Sequence, residues 1–288
     1  MHSEQDQQFQ DWVGKQQTAQ DILTVAPMEG LAATLDRENT AFAAGDKLPA
    51  LWHWLYFPDP ARQSALADDG HPQRGDFLPP IPLPRRMWAG SRLQFRRSLL
   101  VGEQVTRVSK IKSISMKQGR SGRLAFVCVS HTISGSAGVA LEEEHDIVYR
   151  EMASDQPVAT ETPKAEEKAD FTKTISPDPV LLFRYSALTF NGHRIHYDRS
   201  YAQDKEYYPG LVVHGPLLAT LLLELFTEHY PDAQLTQFEF KALSPVFDIN
   251  DFQCGGNRLD NNGVSRLWIA DSNGNLCLQA RAEVVKTR

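Results

Sequence analysis

The sequence contains few cysteines, the residues that are typical of disulfide-bonded secreted proteins and of zinc sites. Among 288 residues there are three cysteines, Cys128, Cys254 and Cys277, which are odd in number and lie far apart in apolar runs. This pattern is typical of reduced core cysteines in a cytoplasmic protein, where disulfides are rare. It predicts neither a disulfide framework nor a zinc site.

A large excess of charge of one sign is also absent. The chain has 30 basic and 36 acidic residues and a formal net charge of −6. Such a balance gives no global attraction to nucleic acid or to an anionic membrane. We therefore expect a small-molecule partner, with neither nucleic acid nor membrane as a partner.

Long apolar runs are missing as well. Residues 1–17 have neither a positively charged start nor an apolar stretch, so no secretory signal is expected. The candidate membrane span, 210–226, is shorter than the roughly 20 residues that a bilayer requires, and His214, Pro216 and Glu224 interrupt it. A helix this apolar is instead one that the rest of the protein surrounds. A cytoplasmic location is the expectation.

The length suits two domains of about 140 residues each. Residues 154–170 are polar and carry five acidic side chains, so they cannot contribute to a core and are predicted to be a linker. We therefore expect an N-terminal domain over 1–153 and a C-terminal domain over 171–288.

Each half has the pattern of one helix followed by four extended runs. The predicted helices are 27–37 and 217–229; the predicted strands are 21–25, 51–57, 91–99, 103–116, 123–134, 139–149, 234–243, 251–258, 264–270 and 276–285. Asn-Gly pairs at 262–263 and 273–274 predict tight hairpins with positive φ at both residues. Two antiparallel meanders follow from this order.

An antiparallel sheet curled around one apolar helix is called a hotdog, and two in one chain predict an α+β double hotdog. A short likeness between residues 30–35 and 216–221 supports two similar halves. Residues 58–86 contain seven prolines, so they predict a long irregular loop, and loops of this length are usually functional.

Polar residues cluster directly before the second apolar helix. Asn191, His193, His196, Asp198 and His214 lie within residues 186–216. Histidine is the side chain that titrates near neutral pH, and carboxamide and carboxylate groups position water and protons. This stretch is the predicted active site. The first half has no histidine between residues 9 and 29, before its helix, so we expect it to shape a pocket without catalysing.

The segment Asn191-Gly-His-Arg-Ile-His196-Tyr-Asp198, with Val213-His214-Gly215 downstream, resembles the signature of the MaoC-like, or R-specific, enoyl-CoA hydratases. Their pattern reads D-x-N-P-[LIV]-H followed by V-x-H-G. Residues 82–90, Pro-Leu-Pro-Arg-Arg-Met-Trp-Ala-Gly, and 208–217 resemble the two-hotdog branch. That branch contains itaconyl-CoA and mesaconyl-C4-CoA hydratases and the mitochondrial-type 3-hydroxyacyl-thioester dehydratases.

This chain departs from the signature at three positions. Asn191 stands where the family has a general-base aspartate, His193 where it has asparagine and Arg194 where it has proline. Because an amide cannot accept a proton at neutral pH, the resemblance leaves the proton transfer to His196, with Asn191 orienting water. It places the thioester oxygen at the backbone N–H of Gly215, at a helix start.

For three other residues of this stretch, a structural role is weighed against a part in the chemistry. His193 contacts substrate or only its own loop, His214 and Asp198 are structural, and a metal site made of the three histidines and Asp198 is the less favoured alternative. The resemblance implies no metal and no cofactor. A homodimer is left open.

Two sets of basic residues are predicted to bind the substrate. Arg194 inside the motif, with Arg85 and Arg86 at the end of the proline-rich loop, suits a carboxylate on the acyl group, although Asp198 is an alternative partner for Arg194. A basic run over 107–123 suits the phosphates of coenzyme A, and Arg120 and Arg123 are the residues expected to contact them. The alternative for this run is a solvated strand face.

The expected function is therefore reversible hydration of a 2-enoyl-CoA, best a C5 dicarboxylic one that yields citramalyl-CoA. One alternative is a 3-hydroxyacyl-thioester dehydratase of fatty-acid synthesis. The other is an acyl-CoA-binding protein without catalytic activity.

Overall fold

The computed structural model describes residues 9–38, 41–119, 122–151, 163–166 and 168–285. The first half contains β1 (Gln16–Ile22), α1 (Val25–Thr34), β2 (Arg85–Phe95), β3 (Gln104–Gly119), β4 (Gly122–Gly135) and β5 (Gly138–Arg150). The second half contains β6 (Phe171–Ile175), α2 (Pro179–Leu188), α3 (Arg199–Asp204), α4 (Gly215–His229), β7 (Leu235–Ala242), β8 (Phe252–Gly256), β9 (Val264–Ala270) and β10 (Leu276–Val284).

The strands form one continuous antiparallel sheet in the order β1-β3-β4-β5-β2-β7-β10-β9-β8-β6. The two halves meet where β2 pairs with β7, with Ser91 opposite Phe240. Each predicted meander paired its strands in chain order. This pairing is wrong for the first strand of each meander, β2 and β7. Since β2 and β7 form the seam, each of them pairs on its other side with the last strand of its own half, β5 or β10.

The expected α+β double hotdog is confirmed, because each half contributes five strands of the antiparallel sheet and an apolar helix that packs in the core. Helix α4 buries most of its side chains, including Leu217, Leu222 and Leu225, and α1 buries Met28 and Leu31. Side chains of both helices belong to one hydrophobic core that runs through both halves. In the described part of the chain, none of the helices has the length and apolar character that crossing a membrane requires.

Two helices begin with the signals expected for a helix start. In α2, Asp178 caps the helix by accepting from the Leu181 N–H at 2.7 Å, and Pro179 follows it. In α4, Pro216 lies in the first turn, where a missing N–H costs no hydrogen bond. Neither α2 nor the short α3 was predicted, because both are short and only one face of each meets the core.

The aromatic segment 51–57 was predicted to be a strand, and this prediction is wrong. The segment contains a short 3-10 helix over Trp52–Leu55. Leu51 and Phe57 on either side have φ values of 69° and 58°, which an extended chain cannot accommodate. Trp52 and Leu55 are buried, so the apolar residues serve the core from a turn of helix. The apolar composition was interpreted correctly as core and incorrectly as strand.

The two Asn-Gly turns also differ from the prediction. Gly263 and Gly274 have a φ of 76°, whereas Asn262 and Asn273 do not take positive values. In the first turn, Asp260 accepts hydrogen bonds from backbone N–H groups with both its carbonyl and its side chain. These loops are longer than two residues, and an aspartate that starts each turn leaves only the glycine in the left-handed region.

The predicted linker over 154–170 lies mostly outside the described residues. Its described part packs on the second half: Leu276 N–H donates to the Pro163 carbonyl at 2.8 Å, and Ala165 N–H donates to the Gly274 carbonyl at 3.0 Å. The domain boundaries stay a prediction.

The proline-rich loop is irregular, as predicted, and lies on the loop that carries the histidine motif. Arg74 organises it by donating to the carbonyls of Ile81 at 2.8 Å and Leu83 at 2.5 Å. The backbones of Gly70 and Gly192 are in close contact. A Cβ on Gly70 would lie 2.0 Å from the Gly192 carbonyl oxygen. A loop of the first half is thus fixed against the predicted active site of the second.

This contact predicts a difference between two glycine substitutions. Gly70→Ala and Gly14→Ala both place a side chain at a left-handed φ, +87° and +88°, and each should lose about 1–2 kcal/mol of unfolding free energy for that reason. Only Gly70→Ala adds a collision with backbone, since a Cβ at Gly14 meets nothing within 4 Å. Urea unfolding should show the larger loss for Gly70→Ala; equal losses would contradict the tight contact.

Candidate active site

A cavity of about 570 Å³ lies between the two halves. The second half contributes the motif residues Asn191, His193, His196 and Gly215 to its wall, and the first half contributes Asp69, His71, Arg86, Arg107 and Glu143. A volume of this size accommodates a small acyl group with part of the chain that carries it. The structure therefore brings the predicted catalytic residues to one place.

His196 ends the 3-10 helix Arg194–His196 and is buried. Its Nδ1 donates to the carbonyl oxygen of Val212 at 2.7 Å, so in the neutral ring Nε2 holds the lone pair. Burial lowers the pKa of His196 to about 4, although the bond to Val212 acts in the opposite direction. At neutral pH this imidazole is a proton acceptor.

The ring of His214 supports His196. The two rings stack with centroids 3.7 Å apart and planes 19° apart, and His214 Nε2 lies 2.8 Å from Ser186 Oγ. Burial also lowers the pKa of His214 well below its ordinary value, so this ring is neutral as well. These contacts agree with the structural role expected for His214, which stays a prediction.

Asn191 has one half of its amide engaged and the other half free. Its Oδ1 accepts from the His193 N–H at 3.0 Å, which fixes the loop, while among the described residues its Nδ2 has no hydrogen-bond partner. Because Asn191 lines the cavity, this amide can donate to a water or a substrate there.

Gly215 is the first residue of α4 and lines the cavity. The N–H of a first helical residue cannot bond within its helix, and none of the described residues accepts from this one. The positive end of the helix dipole adds to its attraction for a partial negative charge. This N–H suits an oxygen on which charge develops during a reaction.

The sequence interpretation missed Asp69 and His71, two cavity residues from the proline-rich loop. His71 Nδ1 donates to Asp69 Oδ2 at 3.0 Å, and the ring of His71 lies 4.1 Å from that of His193, which is edge-on to His196. Burial is the largest cause of the lowered pKa of His71. For Asp69, burial acts to raise the pKa, but the hydrogen bonds from His71 lower it below its ordinary value.

These states leave Asp69 ionised and the nearby imidazoles neutral at pH 7. Ligand atoms of Asp69, His71 and His193 lie within 4.8 Å of one another, close enough to hold a metal ion. This set differs from the one considered in the sequence, where Asp198 and His214 were included. Seven prolines predicted the importance of the loop, but no pattern in the sequence connects Asp69 or His71 to the motif.

A second polar group in the cavity also had no signal in the sequence. The buried carboxylate of Glu143 lies 3.1 Å from His53 Nε2 and 2.7 Å from His145 Nε2, and it accepts from Trp54 Nε1 at 3.2 Å. Burial acts to raise the pKa of Glu143, yet the histidines, above all His145, lower it well below its ordinary value. The first-half wall of the cavity is thus partly polar and charged.

The arginines predicted to bind a substrate carboxylate lie in different environments. Arg85 is buried and paired with Glu206, with Nε 2.7 Å from Oε2. Arg194 is paired with Asp198 at 2.7 Å and does not line the cavity. Arg86 lines the cavity and has no ion pair among the described residues, and its charge contributes to the lowered pKa of His71 after burial. The roles of all three stay predictions, and the contacts favour Arg86.

The basic run does not form one patch. Arg107 lines the cavity, whereas Lys110 and Lys112 line a separate surface groove, because successive side chains of β3 point to opposite faces. Arg123 pairs with Glu151 at 2.9 Å and is not part of the cavity wall. Arg120 lies outside the described residues, so its predicted contact with coenzyme A stays a prediction, as does that of Arg123.

A family model described as hydroxyacyl-thioester dehydratase type 2 matches residues 51–248, which include the motif and the proline-rich loop. The chain belongs to this family. The likeness stated from the motif is confirmed, and the family is one of hydro-lyases that act on thioesters.

Two relatives are similar to this chain in sequence over most of its length. A mesaconyl-C4-CoA hydratase of Chloroflexus aurantiacus is 47% identical over 86% of this chain and 90% of its own length. A mitochondrial hydroxyacyl-thioester dehydratase type 2 of Schizosaccharomyces pombe is 29% identical over 79% of this chain and 85% of its own.

Solved structures agree in fold. A MaoC-like dehydratase superposes with a TM-score of 0.71 at 14% identity, over 97% of this chain and 100% of its own. A Mycobacterium tuberculosis protein described as a double hotdog gives a TM-score of 0.61 at 13% identity, over 96% of both chains. At these identities the likeness concerns the fold alone.

Burial of neutral His196 predicts that stability falls in acid. The folded pKa of about 4 lies below the unfolded value near 6.5, so this contribution is complete above pH 6.5 and is lost as pH falls toward 4. The loss from this residue should be about 3 kcal/mol, from a shift of about 2.5 units. In urea unfolding, His196→Phe, which keeps a ring on His214, should flatten the pH dependence; an unchanged slope would contradict this.

Proposed function

We propose that this protein reversibly adds water to the double bond of a 2-enoyl-CoA, without a cofactor, and that the acyl group carries a free carboxylate. The observation that supports it is the cavity shared by His196, Asn191, Gly215 and Arg86. This set provides a proton acceptor, a donor that can hold water, a donor for the thioester oxygen and a cation that has no ion pair among the described residues.

The reaction follows from these groups. His196 Nε2 takes a proton from a water that Asn191 Nδ2 holds, while the water oxygen bonds to the β-carbon. The electrons of the double bond move toward the thioester oxygen, where the Gly215 N–H stabilises the charge. The imidazolium of His196 then returns the proton to the α-carbon, so that water is added and the enzyme is regenerated.

The carboxylate preference is proposed from charge in the cavity. In mesaconyl-C4-CoA the free carboxylate is attached to the β-carbon, which receives the hydroxyl group to give citramalyl-CoA. A binding cation must then reach the cavity of the catalytic histidine. Arg86 lines that cavity, and its charge contributes to the lowered pKa of both His71 and His193. The 47% identity to a mesaconyl-C4-CoA hydratase supports the same assignment.

The second candidate is dehydration of 3-hydroxyacyl thioesters of fatty-acid synthesis, which the mitochondrial relatives favour. A long alkyl chain would have to pass walls that carry Arg107 and the ionised Glu143 cluster. Because desolvating charged groups against an apolar chain is costly, these walls favour a short polar acyl group. A binding protein without activity would have no need of a neutral, buried imidazole that shares its cavity with a helix N–H for which none of the described residues is an acceptor.

The role of His196 is tested by removing the ring. His196→Ala should lower kcat by at least about 10²-fold, the scale of general acid–base catalysis, with its fold intact by circular dichroism. The loss of enoyl-thioester absorbance measures turnover. His229→Ala, at the far end of α4 and outside the cavity, is the matched control. A folded His196→Ala enzyme with the activity of the control would remove His196 from the mechanism.

The carboxylate contact is tested with a pair of arginine substitutions. The unaltered protein should hydrate mesaconyl-C4-CoA with a higher kcat/KM than crotonyl-CoA, which lacks the carboxylate. Arg86→Met should reduce kcat/KM for mesaconyl-C4-CoA by about 10²-fold, since a charge-assisted contact contributes about 2–3 kcal/mol, and should leave crotonyl-CoA nearly unchanged. Arg194→Met, whose guanidinium binds Asp198, should leave the ratio unchanged.

The same measurement separates the candidates. Equal kcat/KM for crotonyl-CoA and mesaconyl-C4-CoA in the unaltered protein would contradict the carboxylate preference. A larger kcat/KM for long-chain 3-hydroxyacyl thioesters than for either would favour the dehydratase.

A further inference from the structure

The motif supplies a base, but its carboxylate, Asp198, is paired with Arg194 and does not line the cavity. When His196 takes a proton from water it becomes a buried cation, and a buried charge without a partner is costly. Its Nδ1 partner is the neutral carbonyl of Val212, and the adjacent rings of His193 and His214 carry no negative charge. Asn191 is neutral too. The compensating charge must come from elsewhere in the cavity wall.

Four carboxylates line the cavity among the described residues: Asp59, Asp69, Glu143 and Glu206. Glu206 is paired with Arg85, and Glu143 is surrounded by His53, His145 and Trp54. Asp59 is exposed. Asp69 is the carboxylate that reaches the motif, through the ring of His71, which lies 4.1 Å from that of His193.

The position of Asp69 is fixed by backbone as well as side chains. Its Oδ1 accepts from the His71 N–H at 2.9 Å and its Oδ2 from His71 Nδ1 at 3.0 Å. Its own carbonyl accepts from the Arg194 N–H at 2.9 Å, inside the motif, and Gly70 touches Gly192. The loop thus holds the carboxylate at a set distance from the histidines.

We propose that Asp69 and His71 are positioning residues of the catalytic centre: the Asp69 carboxylate, acting through His71 and His193, stabilises the positive charge that His196 carries during catalysis. The proposal rests on the proposed hydratase function. The proton moves only between water, His196 and the α-carbon, so Asp69 stays ionised and exchanges no proton. A loop of the first half then supplies the negative charge that Asn191 cannot.

The surroundings favour this arrangement over a metal ion at the same residues. Arg86 and Arg74 both act on His71 as positive charges, which would repel a divalent cation. His71 Nδ1 already donates to Asp69, so carboxylate and imidazole satisfy each other. A hydrogen-bonded pair of this kind fixes the imidazole and favours its charged form.

The test compares two neighbouring aspartates. Asp69→Asn should lower kcat by about 10-fold or more with little change in KM, because charge compensation matters only once the proton has moved. The acid limb of kcat/KM should shift by about one unit to lower pH, since the protonated imidazole loses its stabilising anion. Asp68→Asn removes the same charge from an exposed side chain of the same loop and should change neither quantity.

Each outcome separates the proposal from the hydratase function. Asp69→Asn that matches Asp68→Asn in kcat and in pH profile would overturn the proposal and leave the hydratase in place. A wild-type protein that hydrates no enoyl-CoA would remove both. If Asp69→Asn does not fold, His71→Phe, which keeps a ring on His193 but loses the bond to Asp69, should show the same shift. Zinc bound by the wild type but not by Asp69→Asn, with activity lost on chelation, would replace the proposal by a metal site.

Discussion

The candidate active site depends on the contact between two backbone segments, at Gly70 of the first half and Gly192 of the second. Neither half encloses the cavity alone, since the motif lies in one and much of the wall in the other. The seam between β2 and β7 places the two halves side by side, but it does not position the loops that carry Gly70 and Gly192. Two facing glycines allow those loops to touch, and the Arg194 N–H bond to Asp69 fixes their register.

Burial then sets the protonation states on which the chemistry rests. The buried rings of His193, His196 and His214 stay neutral because a buried cation is costly, and neutral imidazoles are the proton acceptors that hydration needs. The carboxylates of Glu143 and Asp69 remain ionised although they are buried, because histidines lie against each of them. The same burial that prepares the base also makes the folded state sensitive to acid.

The two halves contribute different residues to the cavity. The motif loop and the start of α4 supply Asn191, His196 and Gly215, which the proposed mechanism assigns to the thioester and the double bond. The first half supplies Arg86, Arg107 and Glu143, and the proposal assigns these charged walls to the acyl group. Under this proposal, a change in acyl preference requires changes in the first half and leaves the chemistry of the second intact.

The sequence by itself determined the fold class, the two halves and most of the sheet strands, and it predicted the place of the candidate active site. Strand periodicity and an apolar helix are local signals, and the spacing of Asn191, His196 and Gly215 lies within 25 residues of chain. The sequence did not determine the strand order, because β2 pairs with β5 and β7, and neither of these follows it directly in the chain.

Only the tertiary structure decided which charged residues reach the cavity. Arg194 and Arg86 look equally suitable in the sequence, yet an ion pair to Asp198 holds the first outside the cavity and none among the described residues engages the second. Asp69 and His71 gave no signal, since their partner His193 is more than 120 residues away in the chain. Contacts between distant segments depend on how loops pack, and no local pattern encodes that.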